Sequence, residues 1–355
     1  MQMNINDFLK EKKPLIDAEM EKVFPRKLNN KWLSETLGKA DYACDFKTIN
    51  KSLSEPIWDF LDRGGKRWRP ALMLLTCDAV GGNSKKIMPF TALPELVHTG
   101  TIMVDDVEDN SDQRRGKPCT HKLYGTDVAV NAANAMYFLP LTLLYNNPLK
   151  LKESKLVEIY NLYSEELIKV SVGQAMDIQW HRNSSCDVSE EQYLQMCVYK
   201  TGVLARFSAK LGAILGNADA KQINALGKFG ESLGVAFQIQ DDILNIAPVS
   251  KDWGKEIGDD INEGKKTLLV IYALKKLNKA DSSKLKEILN MHTKDQKLIS
   301  EAIELIKKSG AVEYAKKKAS EIGSKGWKHA ESVLDDSPAK NRLHEFSEYV
   351  TKRKY

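Results

Sequence analysis

The chain is poor in the residues that build several kinds of site. It has 5 cysteines in 355 residues, at 44, 77, 119, 186 and 197, an odd count with no Cys-x-x-Cys pair. That pattern argues against a disulfide framework and against a thiolate zinc site, and it suits a reducing compartment. Histidine is scarce too, and His98, His121 and His181 lie too far apart to suggest a zinc site. No apolar run approaches the roughly 18 residues of a membrane span. The N-terminus, Met1-Gln2-Met3-Asn4-Ile5-Asn6-Asp7, has no charged-then-apolar leader pattern. A net charge of +5 is too small to imply a nucleic-acid partner. Part of it is terminal, in Lys352, Arg353 and Lys354, which reads as a solvated end rather than a segment closing over substrate. Strand alternation with hairpin signals is missing as well. These absences leave the expectation of a soluble, cytoplasmic, all-α protein with no transmembrane segment and no nucleic-acid partner.

What is present is an ordinary globular balance, 42% hydrophobic and 28% charged. The length is ample for a sizeable core in one large domain or two smaller ones. Apolar periodicity predicts helices over 5–24, interrupted at Pro14, over 49–61, over 71–80 and over a run ending at Asp109. Pro94 falls in that last run and predicts a kink or a late start. Further helices are expected over 127–145, 154–180, 190–215, 220–245, 267–277, 284–291, 296–309 and 312–334, with Asp187 or Ser189 as a cap. Residues 246–264, rich in Gly and Asp, read as a functional loop.

The chemistry concentrates in Val104-Asp105-Asp106-Val107-Glu108-Asp109-Asn110-Ser111-Asp112-Gln113-Arg114-Arg115-Gly116-Lys117-Pro118. On a helix Asp105 and Asp109 share a face, with Asp106 about 100° round from Asp105. Such a cluster repels itself until a cation joins it. All-oxygen ligands point to a hard ion, and one or two carboxylates plus substrate phosphates is how Mg2+ is usually held. Arg114 and Arg115 then form a fork for phosphate oxygens. The alternative is a solvated acidic helix end followed by a basic loop. Gln238-Ile239-Gln240-Asp241-Asp242-Ile243-Leu244-Asn245 repeats the acidic spacing and is followed by Lys255, Asp259, Asp260, Lys265 and Lys266. Two acidic clusters, each trailed by basic residues, suit a diphosphate held between metal ions and cations.

In these motifs the chain resembles the trans-isoprenyl diphosphate synthases, or polyprenyl synthetases, and is most like those that make geranylgeranyl diphosphate. Asp105-Asp106-Val107-Glu108-Asp109 is similar to their first aspartate-rich motif and Asp241-Asp242-Ile243-Leu244-Asn245 to the second. Gly64-Gly65-Lys66-Arg67-Trp68-Arg69-Pro70 is similar to their N-terminal signature, and Glu95-Leu96-Val97-His98 to the segment leading into the first motif. The correspondence runs from about residue 50 to about residue 275; the helices beyond about 280 carry no family signature. The resemblance implies one domain over 1–355, a single large helical bundle around a central apolar cavity, the two motifs facing across it, and a homodimer.

It also implies a reaction: head-to-tail condensation of isopentenyl diphosphate with an allylic diphosphate, with Mg2+ as cofactor. By position, Asp105, Asp106, Asp109, Asp241 and Asp242 would engage the metal, with Asn245 a departure from the commoner Asp. Arg114, Lys200, Lys255 and Lys265 would contact the allylic diphosphate, and Lys66, Arg69, His98 and Arg115 the homoallylic one. Thr201 and Gln238 would turn oxygen dipoles toward the developing cation. His98 alone also suits a core histidine. Gln174 and Asp177 resemble a cavity-lining helix motif, as ligands or as orienting groups. Small residues at Gly100 and Thr101 would let the growing tail pass, and Tyr137 and Phe138 would close the tunnel for a twenty-carbon product; both pairs also suit plain helix packing. Other product lengths, a terpene cyclase and a non-catalytic partner subunit are the alternatives. A cyclase would not need Lys66, Arg69 and His98, and partner subunits tend to lose aspartates that the first motif here retains.

Overall fold

The computed structural model describes residues 5–182, 187–247 and 257–351. Lys255 and the basic tail from Lys352 lie outside the described residues. The class is all-α. Among the described residues the strands are confined to one hairpin, Gln113–Arg114 against Lys117–Pro118. No alternation announces it, because its signal is two left-handed residues, Arg115 at φ 52° and Gly116 at φ 74°. Such a pair makes the tight turn whose twist suits a hairpin.

Backbone contacts divide the chain into two compact units. The first comprises Met1–Leu162 with Leu211–Asp219, the second Tyr163–Lys210 with Ala220–Tyr355. In the first unit the helix Trp68–Ala79 is buried on nearly every side, as a helix apolar all round must be. Gly212 lies directly against Met73 and Thr76 of that helix, leaving no room for a Cβ. Pro94 gives the late start: a 3-10 turn, Met88–Thr91, precedes the helix Ala92–Glu108. Proline there lies in the first turn, where its missing N–H breaks no intrahelical bond. Pro14 does not interrupt its helix, which runs Ile5–Val23 and buries Ile5, Phe8 and Leu9 before the proline and Ile16 and Met20 after it.

One expectation is corrected in this unit. The 21-residue stretch Thr126–Asn146 is long and apolar enough to span a membrane by length and composition. It is built of the helices Thr126–Phe138 and Thr142–Asn146 with a 3-10 turn, Leu139–Leu141, at Pro140. Ala129, Ala132, Ala133 and Met136 are buried within the unit.

In the second unit the expected helix over 190–215 is broken by a π turn, Val198–Gly202, between Glu190–Cys197 and Val203–Leu215. A capping box of Ser189 and Gln192 starts it. The π turn packs on the helix Ala220–Ile246 through glycine: a Cβ on Gly234 would come within 2.6 Å of Gly202 Cα. Gly173 of the helix Glu153–Arg182 abuts the backbone of Tyr199 and Lys200 with equally little space. These approaches align Lys200 and Thr201 with Gln174, Asp177, Gln238 and Asp242. Ala220–Ile246 packs along Ala311–Glu331, and Gly326 fits against Ser232. A last helix, Pro338–Thr351, was not foreseen.

Candidate active site

In the first unit Asp105, Asp106 and Glu108 occupy the last turn of Ala92–Glu108 and Asp109 is its C-cap, with no basic residue in that turn. A helix C-terminus already carries partial negative charge, so the cluster adds like to like. Asp106 is buried, 1% exposed. Arg114 meets its Oδ1 through Nε at 2.7 Å and Nη2 at 2.5 Å. Burial raises the Asp106 pKa, Arg114 opposes that without cancelling it, and the charge of Asp105 adds to the rise. Asp106 Oδ2 is buried with no hydrogen-bond partner. The hairpin that delivers Arg114 is fixed by Arg63, whose Nη1 donates to Pro118 O at 2.9 Å and whose guanidinium also grips Asp59.

Beside it lies a basic cluster. Arg69 Nη1 donates to His98 Nε2 at 2.9 Å, which assigns the imidazole proton to Nδ1. Burial, then Arg69, Arg115, Arg67 and Arg114, hold the His98 pKa well below its usual value. The ring is therefore a neutral orienting group for Arg69. Arg115 Nη1 donates to Gly64 O and its guanidinium lies 5.1 Å from the centre of the Phe60 ring. Burial lowers the Arg115 pKa to about 10, Glu95 opposes that, and Arg67 and Arg114 add to the fall. Crowded cations with few acids to balance them are a place for an anion.

Arg67 was not singled out by sequence reasoning, yet it holds this cluster. It is buried, with a left-handed φ of 51°. It donates to Asp17 at 2.7 Å, Glu95 at 2.9 Å, Leu61 O at 2.9 Å and Gly64 O at 3.2 Å. Its place between Lys66 and Arg69 hid it, since three basic residues look alike in sequence.

The structure separates the proposed chain-length residues. A Cβ on Gly100 would lie 2.9 Å from Ala133 O, 3.1 Å from Tyr137 Cε1 and 3.2 Å from Met136 Cβ. Gly100 thus admits the helix Thr126–Phe138, as packing alone requires. Tyr137 is half-buried there, its pKa raised by burial and then by Glu108 and Asp105. Phe138 is 68% exposed in the single chain, and it is Tyr137 whose ring lies against Gly100. Thr101 is half-buried and donates to His98 O at 2.8 Å.

In the second unit Lys200 Nζ meets Asp177 Oδ2 at 2.5 Å. Thr201 Oγ1 donates to Gln238 Oε1 at 2.8 Å and Gln238 Nε2 to Asp242 Oδ1 at 2.9 Å. Tyr193 OH donates to Asp242 Oδ2 at 2.6 Å. Burial raises the Asp242 pKa to about 8, with the charges of Asp260 and Asp241 adding and the bonds from Tyr193 and Gln238 opposing. Asn245 is buried: its Oδ1 accepts from Asp260 N at 3.3 Å and its carbonyl from Gly258 N at 3.1 Å. Lys265 pairs with Glu263 at 2.5 Å.

The residues present fit a hard divalent cation. The unmatched Asp106 oxygen and the charge crowding at Asp106 and Asp242 are what such an ion relieves. Among the described residues no three His, Cys, Asp or Glu side chains converge on one point. Mg2+ held through one or two carboxylates and substrate oxygens does not need such convergence.

Comparison with known proteins gives the family. Residues 50–306 match the family model described as polyprenyl synthetase. The chain is 35% identical over 293 residues to a short chain isoprenyl diphosphate synthase of Methanothermobacter thermautotrophicus, covering 82% of this chain and 87% of that one. It is 33% identical over 298 residues to a geranylgeranyl diphosphate synthase of Methanosarcina mazei, covering 83% and 88%. Its fold is similar to the crystal structure of a geranylgeranyl pyrophosphate synthetase from Pyrococcus horikoshii, with TM-score 0.84, 28% identity and 98% of each chain covered.

Proposed function

Because the chain belongs to the polyprenyl synthetase family and is a prenyltransferase, we propose that it makes geranylgeranyl diphosphate by Mg2+-dependent condensation of isopentenyl diphosphate with allylic diphosphates. The allylic C–O bond breaks and pyrophosphate leaves. The isopentenyl double bond forms the new C–C bond, and a proton is lost to the departing pyrophosphate. When bound, Mg2+ supplies positive charge to the leaving diphosphate. Asp105, Asp106, Asp109, Asp241 and Asp242 are the residues that would hold it, directly or through water.

The observation that carries the reading is Asp106, buried, gripped by Arg114 on one oxygen and unmatched on the other. Arg69, positioned by neutral His98, and Arg115, positioned by Gly64 O, serve the homoallylic diphosphate with Lys66. Lys200 and Lys265 serve the allylic one. Thr201 and Gln238 face the cation that forms, where fixed oxygen dipoles lower its energy. The product length rests on relatives named for geranylgeranyl diphosphate. The test is incubation with Mg2+, isopentenyl diphosphate and each short allylic diphosphate, followed by sizing of the dephosphorylated alcohols. A dominant twenty-carbon alcohol is expected; a shorter or longer one would overturn the product assignment.

We also propose that both units form one synthase domain, since the matched region 50–306 runs through both, and that an apolar cavity shields the cation from water. We propose a homodimer as well, which light scattering after size exclusion tests. A cytoplasmic location suits the free thiols Cys44, Cys77, Cys119 and Cys197.

A further inference from the structure

The second unit contains a buried tyrosine to which no role in the reaction has been given. Tyr193 is 1% exposed. It sits in Glu190–Cys197, and its hydroxyl reaches Asp242 on Ala220–Ile246. We propose that Tyr193 is a positioning residue that fixes, through Asp242, the direction in which the amide of Gln238 points.

The geometry is a relay of three hydrogen bonds. Tyr193 OH takes Asp242 Oδ2 at 2.6 Å, leaving Oδ1 to the Nε2 of Gln238 at 2.9 Å. Tyr193 and Gln238 both donate to this carboxyl group, so the amide end that faces it is the NH2 end. The other end, Oε1, then points away and accepts from Thr201 Oγ1 at 2.8 Å. Without Tyr193, Asp242 can rotate, and Gln238 loses the partner that sets its orientation. A turned amide would present its positive NH2 edge where the oxygen now lies. Asp242 thus acts as the middle member of this relay, both its oxygens occupied by neutral donors. Tyrosine suits the task because a ring fills the core while the hydroxyl supplies one directed donor.

The inference rests on the proposed prenyl transfer, in which Thr201 and Gln238 face the developing cation. The test is a double-mutant cycle of Tyr193→Phe with Thr201→Val. Tyr193→Phe keeps the ring and removes the donor. We expect unchanged KM for both substrates and a kcat lower by roughly 10–100-fold, the usual effect of losing an outer partner. In the Thr201→Val background the same change should cost little more, because both act through one amide. Calorimetry with a protonated prenyl amine plus inorganic pyrophosphate and Mg2+ gives a readout apart from turnover. Measured well below the melting temperature of either protein, its affinity should fall in Tyr193→Phe. Equal kcat losses in both backgrounds, or an unchanged amine affinity, would overturn the inference. If Tyr193→Phe does not fold, Asp242→Asn replaces it in the cycle, and an additive loss there has the same meaning. Wild-type enzyme that forms no prenyl diphosphate from the two substrates would instead overturn the function itself.

Discussion

Gly100 distinguishes packing from tunnel. Replacing it by alanine puts a methyl 2.9 Å from a backbone carbonyl, that of Ala133, and 3.2 Å from Met136 Cβ. The carbonyl cannot swing aside as a side-chain end can, so the helices Ala92–Glu108 and Thr126–Phe138 must part by a few tenths of an ångström. Overpacking of this kind costs about 1–3 kcal/mol. The better helix propensity of alanine returns about 1 kcal/mol. The net expectation for Gly100→Ala is a loss of roughly 1 kcal/mol, and for Gly100→Leu one of about 3 kcal/mol or more, since the longer side chain meets Tyr137 as well. Thermal unfolding followed by circular dichroism reads the order wild type, Ala, Leu. Product sizing on the surviving Ala enzyme should show the wild-type length. A Gly100→Leu enzyme with wild-type melting temperature and shortened products would refute this reasoning and make Gly100 part of the tail path.

Three further outcomes follow from the same geometry. Arg67→Met strands buried Glu95 without its partner and should cost about 3–5 kcal/mol, while Arg67→Met with Glu95→Leu should recover much of it; chemical denaturation reads both, and an additive double loss would contradict the pairing. Asp242, ordinarily at 3.8 and here raised to about 8, keeps in the folded state a proton that the unfolded chain loses across that window. Its contribution is full below the lower value and falls as pH rises to the upper, by at most about 1.4 kcal/mol per unit. Urea midpoints without divalent metal should drop from pH 6 to pH 8 more in wild type than in Asp242→Asn, and equal drops would exclude it. Tyr137→Ala should lengthen the product and Phe138→Ala alone should not; a change of length from Phe138→Ala would restore it to the tunnel.

Much of this was legible in the sequence because the chemistry is written in charge and spacing. The paired acids, the Arg114-Arg115-Gly116-Lys117 turn and the apolar periodicity of the helices are local features, and the helices formed close to where periodicity put them. What escaped depends on contacts distant in the chain. Tyr193 looks like any core aromatic until the fold sets it beside Asp242, 49 positions on. Arg67 and Arg69 are neighbours in sequence, yet one turns to Glu95 and Asp17 and the other to His98. The π turn at Val198–Gly202 has no compositional mark; glycine contacts with other helices set it. Tyr137 and Phe138 look alike in sequence, because helical spacing alone does not tell which side of a helix another element covers; only Tyr137 meets Gly100.

The two-substrate chemistry is tested most directly by coupling pyrophosphate release to bond formation. Purified protein would be supplied with Mg2+ and an allylic diphosphate, with and without isopentenyl diphosphate, while pyrophosphate and organic-extractable products are quantified together. The account predicts pyrophosphate only when both substrates are present, with one released for each isopentenyl unit incorporated into a longer linear prenyl diphosphate. Pyrophosphate released from the allylic diphosphate alone, accompanied by cyclic hydrocarbon, would contradict it.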